Sequence, residues 1–138
     1  MFLKLLVKTS EEDYAGMTVF GQLDVVICSH HECCLIYNID SSSNDFETGA
    51  TDVFTEGDLQ QCYGFNLDAS DYSITLAHHG TDAWLGEYIL ITAGDRIFCE
   101  INGWLDNGDT YNLHTCNIYN ATQRNLDFRP KFQTPKKL

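Results

Sequence analysis

Between Asp40 and Glu47 the chain sets Asp40, Asn44, Asp45 and Glu47 around three consecutive serines, so every functional side chain in the stretch offers oxygen. Calcium takes roughly six to eight oxygens from carboxylates, amides and backbone carbonyls on flexible loops, and this donor set suits it. The same residues would also build an ordinary polar loop with an Asx turn at Asn44 or Asp45. A second cluster, His30-His31-Glu32-Cys33-Cys34, offers nitrogen and sulfur. Adjacent cysteines on a strand point to opposite faces and do not easily share one ion, which ranks a metal cluster there below disulfide bonding. Cys28, Cys33, Cys34, Cys62, Cys99 and Cys116 are an even set, so up to three bridges are expected, with a pairing that spacing alone does not decide. Nothing marks a nucleophile: G-x-S-x-G is absent, and neither His79 nor His114 has a partner that spacing identifies. The reading is therefore a non-enzyme. Trp104, followed by Asp106, Asn107 and Asp109, would suit a sugar, with a ring face beside planar amides and carboxylates.

The elements that must position these groups are strands. Leu3, Leu5 and Val7 share one face of a first strand, opposite Lys4 and Lys8; Leu23, Val25 and Ile27 alternate with Gln22 and Asp24. Tyr72, Ile74 and Leu76 alternate with Ser73 and Thr75, and Ile97, Cys99 and Ile101 with Phe98 and Glu100. Turn chemistry separates them at Ser41-Ser42-Ser43-Asn44, Glu56-Gly57-Asp58, Ala93-Gly94-Asp95 and Asp106-Asn107-Gly108-Asp109. No long segment has a 3.6-residue period. The pattern predicts an all-β antiparallel sandwich of about eight strands, and leaves immunoglobulin-like, jelly-roll and lectin-like versions open. Asp52, between Thr51 and Val53, falls on or beside a strand, where it is expected to anchor backbone amides or pair with His78. His78 reads as a strand-end residue satisfied by a neighbour.

A chain of 138 residues, 43% of them hydrophobic, is enough for one core. The expected organisation is a sandwich over residues 1–119 and a basic C-terminal tail over 120–138. The tail holds Arg124, Arg129, Lys131, Lys136 and Lys137, whereas the body holds only Lys4, Lys8 and Arg96 against every acidic residue but Asp127. The whole chain carries a net charge of -12, and its acidic body repels phosphate backbones, which argues against a nucleic-acid partner. The apolar run Leu5-Leu6-Val7 is far below the roughly 20 residues that span a bilayer. Disulfides and the glycosylation sequon at Asn120 point to an extracellular protein, whose signal sequence would precede this numbering.

The ordered series Phe46, Gly49, Asp52, Phe54, His78 and Trp84 resembles the PLAT, or lipoxygenase homology, family, with its F-x-x-G-x-x-D-x-F segment, strand-ending His and strand-opening Trp. Leu3–Lys8 with Ala15-Gly16, and Phe98-Cys99 with Trp104-Leu105-Asp106, extend the likeness over residues 2–106. The resemblance implies a C2-like sandwich that binds calcium through loops at one end. It makes Asn44, Asp45 and Glu47 ligands, to which the loop's own donor set adds Asp40, and sets Glu11, Glu12 and Asp13 in the facing turn; Thr18 stands where many members carry a ligand Asp. It buries Trp84 in the core, and it implies docking on membrane lipid through exposed apolar tips, here Met17, Phe20 and Trp104. Three roles remain open: calcium-assisted docking to a membrane lipid surface or lipid-associated protein, a calcium-independent subunit of an assembly, and a lectin-like binder.

Overall fold

A computed structural model describes residues 3–17, 21–39, 45–55, 57–80, 82–101, 103–113 and 116–118. Its strands are β1 (Lys4–Thr9), β2 (Gln22–Ser29), β3 (Glu32–Ile36), β4 (Thr51–Phe54), β5 (Tyr72–His79), β6 (Trp84–Ala93), β7 (Asp95–Glu100), β8 (Trp104–Leu105), β9 (Thr110–Leu113) and β10 (Asn117–Ile118). One sheet runs β10-β7-β6-β1-β4, with β8 added to β6, and the other runs β3-β2-β5-β9. Every strand pair is antiparallel. The expected sandwich is the observed fold. Among the described residues the count rises from about eight to ten because β8 and β10 are two-residue ladders too short to show a period.

Alternation decides what enters the core. Leu5 and Val7 from β1, Leu23, Val25 and Ile27 from β2, Ile74 and Leu76 from β5, and Ile89 and Ile91 from β6 are fully buried in one cluster. Trp84 joins them as its largest buried side chain, and its indole N–H donates to Thr9 Oγ1 at 3.0 Å, satisfying the one polar atom it carries inside. Gly86 is required beside it: a Cβ there would sit 2.5 Å from the Trp84 ring. All six cysteines are paired, as Cys28–Cys33, Cys34–Cys62 and Cys99–Cys116. Cys28 and Cys33 are opposed in the β2–β3 ladder, while Cys34–Cys62 ties β3 to a short 3₁₀ turn (Gln60–Cys62) within the core. The tail over 120–138 and the sequon Asn120 lie outside the described residues.

Candidate functional site

At one end of the sandwich, four separate segments enclose a cleft of about 660 Å³, lined by Tyr14, Met17, Glu47, Thr48, Asp82 and Trp104 together with Gly16 and Ala83. The β1–β2 connection is held there by backbone bonds. The Met17 amide donates to Phe46 O at 2.9 Å, the Gly16 amide to Thr48 Oγ1 at 3.0 Å, and the Leu85 amide to Ala15 O at 3.0 Å. Gly16 is the residue that permits this approach, because a Cβ would fall 2.7 Å from Thr48 N.

Phe46 fixes the facing segment. Its ring is buried, stacked on Phe54 with centroids 5.8 Å apart and edge-on to Trp84 at 5.9 Å. Its backbone is left-handed, with φ of 62°, a conformation that costs a bulky residue roughly 1–2 kcal/mol. Two bonds compensate: Phe46 O accepts from Met17, and the Phe46 amide donates to Asp52 Oδ2 at 2.7 Å. Anchoring this ring places Asp45 and Glu47, on either side of it, beside Asp52. Burial pushes Asp52 up from an ordinary 3.8 to about 6; the Phe46 amide opposes this, and the charges of Asp45 and Glu47 add to it. The expected role of Asp52 as an anchor of backbone amides is what its geometry shows.

Of the predicted metal donors, Glu47 lines the cleft and Asp45 neighbours it. Asp13 lies exposed in the turn that the Gly16 and Met17 bonds clamp against residues 46–48. Glu11 is engaged with Lys8 at 3.3 Å; the same amine donates to Gly49 O at 2.9 Å, and Lys8 is buried to 3% exposure. Asp40, Asn44, Thr18 and Phe20 lie outside the described residues. The donors are hard oxygens and the local charge is negative, which fits a calcium ion chemically. Among the described residues, no three of His, Cys, Asp and Glu are grouped so as to hold a metal.

Of the predicted contact residues, Met17 and Trp104 both line the cleft, and Trp104 is 41% exposed. Sequence reasoning missed Tyr14, Thr48 and Asp82. Tyr14 is 89% exposed and holds a φ of 65°, and no periodicity or motif announces a loop aromatic of that kind. In the turn after Trp104, Asp109 Oδ2 accepts from the Asp106 amide at 2.7 Å and Asn107 Oδ1 from the Gly80 amide at 3.0 Å, closing the turn and tying it to the end of β5. His78 corrects its expectation. It is fully buried, and among the described residues neither ring nitrogen has a hydrogen-bond partner, so the suggested pairing with Asp52 is not made. His30 and His31 form the left-handed turn of the β2–β3 hairpin, where His30 Nε2 meets Asp68 at 2.6 Å and its Nδ1 meets Asp71 at 3.2 Å.

No family model matches the chain, and no curated protein matches it in sequence. In three dimensions it is similar to alpha-toxin from Clostridium absonum, with a TM-score of 0.65 and 21% identity over 81% of this chain and 30% of that one. It is also similar to coral 8R-lipoxygenase, whose calcium activation involves a C2-like domain (TM-score 0.63, 17% identity, 82% of this chain and 16% of that one). Alpha-toxin from an avian strain of Clostridium perfringens is a third (TM-score 0.62, 22% identity, 81% and 30%). The chain spans less than a third of the length of each. The two antiparallel sheets, the Phe46–Asp52–Trp84 arrangement and these likenesses together show that the chain has a PLAT-like, C2-like β-sandwich fold.

Proposed function

We propose that this domain is a non-catalytic extracellular binding module that docks its cleft end on a membrane lipid surface, with calcium assisting. The observation that carries the reading is the cleft itself. Exposed Tyr14 and Trp104 stand with Met17 around the same opening as Glu47 and Asp82, so apolar side chains and carboxylates face one direction. Apolar tips give a bilayer surface something to bury, and carboxylates there would repel anionic headgroups unless a cation intervened. Asp45 and Glu47 would hold that ion with Asn44, Asp40 and Asp13, and its charge would offset the crowding at Asp52. The three disulfides support an oxidising, extracellular setting. A lipid-associated protein would present a comparable surface, and a calcium-independent subunit would use the same face without the ion.

The test is co-sedimentation of the purified, oxidised domain with phosphatidylserine-containing vesicles, in EDTA and in millimolar calcium. Calcium-dependent binding that weakens at least tenfold in Trp104→Ala with Tyr14→Ala is expected. A thermal midpoint should rise by several degrees with calcium, and Asp45→Ala with Glu47→Ala should abolish the rise. An unchanged midpoint would remove calcium from the reading, and absence of vesicle binding in both conditions would turn it toward a protein partner.

A further inference from the structure

The opening of the cleft carries two aromatic rings that the fold itself does not use. Tyr14 lines it from the β1–β2 connection and Trp104 from β8. Both are exposed, and among the described residues neither ring stacks on another and neither polar tip is hydrogen-bonded. The left-handed backbone of Tyr14 is one that a bulky residue rarely adopts, and the turn behind it is closed by the Ala15 amide donating to Glu12 O at 3.1 Å. A large aromatic held outward in a disfavoured conformation adds nothing to the core and points to a contact made outside the molecule.

The charges around these rings have one sign. Glu47 and Asp82 line the same opening, and no lysine, arginine or histidine is among its described lining residues. Asp82 is exposed and, among the described residues, takes part in no hydrogen bond or ion pair. A π face attracts a cation to within about 6 Å of its centroid, and carboxylates hold one by charge, so the rings and the acids select the same ligand chemistry. Volume narrows the kind of cation. A bare metal ion needs only a tight shell of oxygens, whereas a cleft of about 660 Å³ falls in the range of roughly 300–1,000 Å³ that holds organic groups. Guanidinium suits both features, because it is planar, stacks on aromatic faces and offers a fork of donors to carboxylates. The net charge of -12 draws in a carrier that is itself basic and, without calcium, holds off an anionic bilayer. Given the cleft end as the docking face proposed above, we infer that in the absence of calcium it receives an arginine side chain from a basic segment of a partner protein. The guanidinium lies against Tyr14 and Trp104 and donates to Asp82 and Glu47.

Fluorescence anisotropy in EDTA tests this on the full, oxidised chain, with a fluorescein-labelled glycine–arginine repeat peptide and its lysine and citrulline counterparts as probes. The arginine peptide should bind, the lysine peptide about threefold more weakly, and the citrulline peptide, which keeps the shape and loses the charge, not at all. Asp82→Asn and Trp104→Ala should each weaken arginine binding roughly fivefold. Glu32→Gln, which removes the same charge beside Ser29 at the far end of β2, should leave it unchanged. Equal losses in Asp82→Asn and Glu32→Gln would overturn the proposal, because only diffuse attraction would then be at work. So would failure of the arginine peptide to bind, or binding of phosphatidylcholine vesicles in EDTA in its place, which would make a lipid headgroup the cation. The same variants in the vesicle assay with calcium separate the two readings. Vesicle binding that weakens in Trp104→Ala while the arginine peptide fails to bind would overturn this inference alone; variants that change neither assay would remove the cleft end as a docking face.

Discussion

Asp52 shows how one side chain can serve the fold and still charge it a cost. Its carboxylate holds the left-handed Phe46 amide, yet burial and the nearby Asp45 and Glu47 raise its pKa to about 6. Because the folded value lies above the unfolded one, the native chain binds this proton more tightly than the unfolded chain does. The contribution of Asp52 to stability is therefore greatest below about pH 4, falls as pH rises through 6, and is lowest above that. The fall amounts to at most about 3 kcal/mol. Urea unfolding of wild type and Asp52→Asn at pH 4, 5, 6 and 7 should show this slope in the wild type and its loss in the variant, relative to their common background. Asp52→Ala removes the acceptor as well and should cost about 1–3 kcal/mol more than Asp52→Asn at pH 5. The sequence showed Asp52 as an anchor because a carboxylate beside a strand needs donors. It did not show Lys8, whose burial depends on where Gly49 O lies in the folded chain.

At the scale of elements, the three disulfides constrain unequal lengths of chain. Cys34–Cys62 spans a separation of 28 residues and Cys28–Cys33 one of 5, so loop-closure entropy alone makes the former worth about 1.5 kcal/mol more. Cys34 and Cys62 also fill core volume, which widens the gap. Denaturant midpoints of the paired alanine variants should therefore fall in the order Cys28–Cys33 least and Cys34–Cys62 most; equal losses would mean that chain entropy does not govern. The strands themselves were legible, because period-two alternation at Leu5–Val7, Leu23–Ile27 and Ile74–Leu76 is a direct imprint of a half-buried sheet. The pairing of cysteines was not, since it follows from the β2–β3 register and from a turn at Gln60–Cys62 that has no sequence period.

For the whole molecule, a net charge of -12 sets the terms of any approach to a surface. Without calcium, the acidic body should be repelled by phosphatidylserine vesicles, and what little binding occurs should strengthen as sodium chloride rises from about 20 to 200 mM and screens the repulsion. With calcium, the sign should reverse and added salt should weaken binding. Flotation assays at both salts, with and without the ion, would show the crossover; its absence would mean that charge does not control docking. The cleft end also differs from the sandwich of strands beneath it in how it is assembled. Its lining comes from four stretches distant in sequence, around Tyr14–Met17, Glu47–Thr48, Asp82–Ala83 and Trp104, most of them outside the strand ladders. Only a few positions within those stretches are dictated by the scaffold, notably Gly16 and Phe46. Tyr14, Glu47, Asp82 and Trp104 can therefore be randomised together with Met17, which packs against the core, left in place, which makes this end a natural place to graft new recognition loops and select binders of altered specificity.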